Sequence, residues 1–96
     1  MRIRLPARRA AEAFDFEFRG VRYSACLSRF PDGRCAEAFA SPSKRGSHVD
    51  TDVNDSMTLL SIALQYGVPL DAIKGAVCRD EAGVAAGFLG ALVDAI

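Results

Sequence analysis

The stretch FDFEF, residues 14–18, constrains the fold of this chain more than any other. Phe14, Phe16 and Phe18 alternate with Asp15 and Glu17, and a side-chain period of two belongs to a half-buried strand, rings on one face and carboxylates on the other. Arg19-Gly20 then offers a two-residue hairpin turn. Across such a turn Phe18 faces Val21, Phe16 faces Tyr23 and Phe14 faces Ala25, so all six share one face. Glu17 faces Arg22 on the other face, an opposite-charge pair that fixes the register independently of the apolar residues.

The second strand runs on through Leu27 to about Phe30, where FPDGR supplies a turn in which Pro31 sets one φ and Gly33 accepts a positive one. A third strand follows. Pairing Phe30 with Arg34 sets Leu27 against Glu37 and Ala25 against Phe39, which brings Cys35, Glu37 and Phe39 onto the apolar face. A meander that is apolar on one side needs a cover, and the second half of the chain offers helices. Val53, Met57, Leu60 and Leu64 recur at helical spacing, with Leu59, Ile62 and Ala63 widening the stripe and Asp50 or Thr51 as the cap. Gly67 suits the position just past a helix end. Pro69 suits the first turn of a second helix, to about Cys78, that turns Leu70, Ile73 and Val77 inward. RDEAGVAAG, residues 79–87, reads as a flexible connection, and residues 87–96 as a third helix presenting Phe88, Leu89, Leu92, Val93 and Ile96.

The expected fold is therefore α+β: a three-stranded antiparallel β-meander followed by three α-helices packed on one face of the sheet. Residues 1–12, with Arg2, Arg4, Arg8 and Arg9, form a basic arm. Residues 13–96 form one domain, divided into the meander (13–41), a loop (42–49) and a helical half (50–96). Ninety-six residues do not supply two separate cores. Twelve basic residues balance twelve acidic ones, so no chain-wide field draws in nucleic acid or an anionic membrane. Cys26, Cys35 and Cys78 are odd in number and widely spaced, which argues for reduced thiols rather than a disulfide framework or a zinc site. No apolar run reaches the length of a membrane span or a leader, so a cytoplasmic protein is expected.

The most polar segment is SPSKRGSHVDTD, residues 41–52. Lys44, Arg45, Gly46, Ser47 and the single histidine, His48, could surround an anion or a nucleotide just ahead of a helix N-terminus. Asp50, Asp52 and Asp55 occupy that helix start and repel phosphate, so a solvated loop is the first reading and an anion site the second. One histidine does not furnish a metal site. Glu37 on the apolar face, diagonal to Arg29, needs a partner there; a structural ion pair ranks ahead of a cleft-lining role. Cys26, beside Ser24 and Ser28 on the opposite face, is a reactive thiol only if exposed. Ala63, Gly67 and Ile73 also have the spacing of a helix-turn-helix. The would-be recognition helix carries Lys74 and Arg79 against Asp71, so nucleic-acid binding ranks low and a small DNA-binding or regulatory protein is the alternative.

Taken in order, FDFEFRGVRYSACLSRFPDGRCAEAFAS, SKRGSHVD, SIALQYGVPLDAIKGAV and the closing Gly87-x-Leu89-Gly90-x-x-x-Asp94-x-Ile96 resemble the TSCPD domain family, over about residues 14–96. That family includes the C-terminal module of adenosylcobalamin-dependent ribonucleotide reductases and small free-standing proteins. The resemblance implies a non-catalytic accessory in deoxyribonucleotide synthesis that binds a reductase subunit or a nucleotide. It implies no catalysis by this chain itself, because such a reductase needs a large barrel, a radical cysteine, a reducing cysteine pair and room for cobalamin. No cofactor or metal is expected. The helical half is rich enough in apolar residues for self-association.

Overall fold

The computed structural model describes residues 11–42 and 48–96, apart from the side chains of residues 48–50. Three strands, β1 (Ala11–Phe18), β2 (Val21–Arg29) and β3 (Cys35–Pro42), are followed by three helices, α1 (His48–Gln65), α2 (Leu70–Ala76) and α3 (Phe88–Ala95). The strands form one antiparallel sheet in the order β1-β2-β3, and the helices pack against it, as the alternation and helical spacing require. The first strand takes in Ala11 and Glu12 and the first helix starts at His48, so both halves reach slightly beyond the expected boundaries.

The first hairpin has the expected register throughout: Phe18 opposite Val21, Glu17 opposite Arg22, Phe16 opposite Tyr23, Phe14 opposite Ala25. Arg19 and Gly20 both adopt positive φ, 50° and 77°, which matches the right-handed twist of the flanking strands. The unfavourable conformation of Arg19 is held by its own side chain, which lies 5.4 Å from the Phe18 ring centre and donates to the Ala86 carbonyl at 3.1 Å. On the outer face the ion pair runs diagonally, from Arg22 to Asp15 at 3.5 Å.

The second hairpin departs from expectation by one residue. Phe30 does pair with Arg34, its N–H donating to the Arg34 carbonyl at 2.9 Å, and Arg29 lies opposite Cys35. A bulge then intervenes, so that Ser28 lies opposite Glu37, Leu27 opposite Ala38 and Ala25 opposite Ala40. The extra residue is Ala36, which is fully buried. The slip sends Ala36, Ala38 and Ala40 inward and moves Glu37 and Phe39 to the outer face, where Phe39 is 57% exposed. The expectation that Glu37 and Phe39 share the apolar face is corrected. Without the bulge a carboxylate would lie beneath a helix, and burying an unpaired charge costs more than exposing one ring.

The three alanines let α1 lie close along β3. Val53, Met57, Leu60 and Leu64 are buried as the spacing predicts, but Leu59 is 68% exposed, and the stripe widens instead through Ser61 and Gln65. Ser61 Oγ accepts from the Ala38 N–H at 3.0 Å and donates to the Ala38 carbonyl at 3.2 Å. One hydroxyl thus satisfies a donor and an acceptor on the outer edge of β3, groups that would otherwise be buried unpaired. At the other side of the sheet, Phe88 of α3 packs on Phe16 and Tyr23, with ring centres 5.7 and 4.8 Å apart. Leu92 and Val93 close the core.

Candidate functional site

The helical half is held open by two devices. At the end of α1 the Val68 N–H reaches the Ala63 carbonyl at 3.0 Å and the Gly67 N–H reaches the Leu64 carbonyl at 3.1 Å, with Gly67 at φ 95°. That is a Schellman ending, and it turns the chain sharply into Pro69, which caps α2 instead of entering its first turn. The second device follows α2. The segment expected to be a flexible connection is instead a hydrogen-bonded loop: Arg79 bridges to Ala85, the Asp80 N–H reaches the Val84 carbonyl at 2.9 Å, and the Asp80 carboxylate accepts from the Ala82 and Val84 amides, each at 2.9 Å.

Arg79 binds three elements at once. Its guanidinium makes a two-pronged pair with Asp94 of α3, at 2.7 and 2.9 Å, and donates to the Lys74 carbonyl of α2 at 2.9 Å and to the Gly83 carbonyl at 3.1 Å. The pair favours both charged forms: Asp94 holds Arg79 more firmly protonated, and Arg79, with Lys74 further off, keeps the Asp94 carboxyl below its ordinary range. Beside this clamp α3 approaches closely. A Cβ on Gly90 would lie 2.9 Å from the Ala85 Cβ and 3.2 Å from Val77 Cγ2, so glycine is required there by space. Two letters of the closing sequence pattern, Gly90 and Asp94, thereby acquire physical reasons.

Between the helices lies an apolar groove of about 740 Å³. Ala72, Ile73 and Ala76 of α2 form one wall and Phe88 and Leu89 of α3 the other, while Asp52 and Ser56 of α1 supply the polar edge. Asp52, Ser56 and Phe88 also border a smaller hollow of about 250 Å³ that runs toward Phe18 and Arg19 at the first hairpin turn. Helix α2 buries no side chain completely, so its small residues remain available to a ligand. The lining suits an apolar segment, with one carboxylate at the rim to orient a donor or a cation.

The residues singled out in the sequence are distributed differently. Lys44, Arg45, Gly46 and Ser47 lie outside the described residues, and so does the side chain of His48, the first residue of α1. Arg29 and Glu37 fall on opposite faces of the sheet by register. The partner that Arg29 takes on the inner face is Glu12 of β1, at 2.8 Å; it also donates to the Gly33 carbonyl at 2.9 Å and to Cys35 Sγ at 3.5 Å. Glu12 first, then Cys35, raises the pKa of the guanidinium. Cys26 is half-buried and Cys78 exposed at the groove; among the described residues no three His, Cys, Asp or Glu converge as metal ligands. No helix among the described residues is long and apolar enough to cross a membrane. Of the basic residues in the helix-turn-helix reading, Arg79 is occupied by Asp94 and main-chain carbonyls, and the intervening turn is the Schellman ending. Ser61, Gly90 and the groove-lining alanines were not foreseen as a set; the signals were a serine in an apolar stripe and the Gly-x-x-x-Asp pair in the last helix.

The fold and groove define a small α+β domain with a covered sheet and an open helical side. Over 72 residues, 75% of its length, the chain is 40% identical to the vitamin B12-dependent ribonucleotide reductase of Rhodopirellula baltica. The match spans 7% of that reductase, so the chain is related to one region of it and not to the whole. No family model and no solved structure matches the chain.

Proposed function

We propose that this chain is a non-catalytic, TSCPD-type module of the cytoplasm that binds a partner protein in deoxyribonucleotide synthesis, the partner being a subunit of a vitamin B12-dependent ribonucleotide reductase. The observation that carries this reading is the 40% identity over 72 residues to a region of such a reductase. The groove supports a protein partner over a nucleotide. Its walls are aliphatic and aromatic, and the charge at its rim is the Asp52 carboxylate, which repels phosphate and suits a basic or hydrogen-bond-donating residue beside an apolar anchor.

Affinity capture from native cytosol, with the full chain as bait, tests the proposal. A reductase subunit is expected on the wild-type protein and not on Ala76→Glu, which places a carboxylate in the groove at an exposed position and leaves the fold intact. Failure to recover a reductase subunit, or equal recovery by both baits, would overturn it.

A further inference from the structure

The two edges of the sheet are treated differently by the fold. On β3 the outward groups of Ala38 are taken by Ser61 and its outward neighbours Ala36 and Ala40 lie buried under α1. This contact also fixes the direction of every main-chain group in the sheet. Since Ala38 points away from β2, its partner Leu27 points toward β1, and Glu12, opposite Leu27, points back toward β2. The alternate residues of β1, namely Ala11, Ala13, Asp15 and Glu17, therefore direct their N–H and C=O groups outward. All four residues are exposed, and no described strand pairs with that edge.

We propose that the open edge of β1 receives an added β-strand from a partner protein, one in which lysine or arginine alternates with apolar residues. The backbone of β1 supplies the hydrogen bonds, and its side chains supply the selection. On the inner face Phe14, Phe16 and Phe18 are only half-buried, so apolar side chains of an incoming strand extend the core over their exposed edges. On the outer face Arg22 reaches Asp15 at a loose 3.5 Å while Glu17 lies opposite it in the ladder, so these two carboxylates face one base and one negative charge is left in excess. Basic residues opposite these carboxylates are favourable, whereas a second copy of β1 brings only alanines and further acids to that face and no base. The same charges that attract a basic strand thus deter self-pairing. This proposal uses different residues from the groove and stands apart from it.

The test uses the full chain and a blocked synthetic peptide alternating lysine and valine over the length of β1, with a glutamate–valine peptide as the control. Amide exchange is followed residue by residue by NMR. The lysine peptide is expected to slow exchange at Ala13, Asp15 and Glu17 by about tenfold or more, and the glutamate peptide to leave it unchanged. Ala13→Pro removes an outward N–H without touching the ladder to β2, so it should abolish protection while thermal unfolding stays near wild type. Should that variant fail to fold, the charge reversal Asp15→Lys with Glu17→Lys gives the second reading, in which preference switches to the glutamate peptide. Equal binding of both peptides, or no protection at these amides, would overturn the proposal. So would protection in the peptide-free protein that rises with its own concentration, because a second copy would then hold the edge.

Discussion

Replacing Ser61 by alanine tests the seal between α1 and β3. Ser61 is only 7% exposed, and its hydroxyl makes two bonds to one residue, accepting from the Ala38 N–H at 3.0 Å and donating to its carbonyl at 3.2 Å. Its removal leaves a buried donor and acceptor of Ala38 without the partner they have. An unsatisfied buried group costs about 1–3 kcal/mol, and alanine returns about 0.5 kcal/mol of helix propensity, so a net loss of about 2 kcal/mol is expected. In a domain of this size that lowers Tm by about 10 °C. Urea unfolding followed by circular dichroism should show a lower midpoint at unchanged slope, and the Ala38 amide should exchange faster. Thr58→Ala provides the contrast: its hydroxyl bonds the Asn54 carbonyl at 2.9 Å but is exposed, and its loss should change stability little. If Ser61→Ala unfolds within about 0.5 kcal/mol of wild type, the hydroxyl does not seal the edge and the reasoning fails.

Other outcomes follow from single contacts. Gly90→Ala gains about 1 kcal/mol of helix propensity but forces its Cβ to 2.9 Å from that of Ala85, which cannot rotate away; overpacking of about 1–3 kcal/mol should prevail, and a lowered Tm checks it. The Asp94 carboxyl titrates lower in the folded chain than in the unfolded one, so its stabilising effect is complete above the unfolded value and is lost as pH falls through the folded one. Acid unfolding of Asp94→Asn should accordingly show a shallower loss of stability over that range than wild type. Phe39→Ser, on the outer face, should leave the unfolding midpoint nearly unchanged and raise the solubility limit, whereas a large loss of stability would place Phe39 in the core after all.

The first hairpin was legible because every determinant is local: alternation sets the faces, and Arg19-Gly20 takes the two positive φ angles the turn needs. The third strand was not. Its bulge at Ala36 is decided by what lies above it, since only small residues allow α1 to approach and only the slip keeps Glu37 out from under the helix. Spacing likewise located the central stripe of α1 but not the flank that widens it, because the choice between Leu59 and Ser61 depends on the position of β3. The Arg79 clamp joins residues fifteen apart in sequence through side-chain geometry, so glycines and small residues between them read as flexibility where Asp80 had already bonded the loop. The groove is harder still. Spacing found Ile73, Val77, Phe88 and Leu89, which pack on the core from one side, but not that they stay partly open beside Ala72 and Ala76, because that depends on how α2 and α3 are set apart.

The measurement that bears most directly on the partner-binding account is sedimentation velocity of the purified chain mixed with a purified vitamin B12-dependent ribonucleotide reductase from the same cell. At micromolar concentrations the chain is expected to move with the reductase boundary, and Ala76→Glu, equally stable, to remain in its own slow boundary. Separate boundaries for the wild-type mixture, or a complex that the groove substitution leaves intact, would contradict the account.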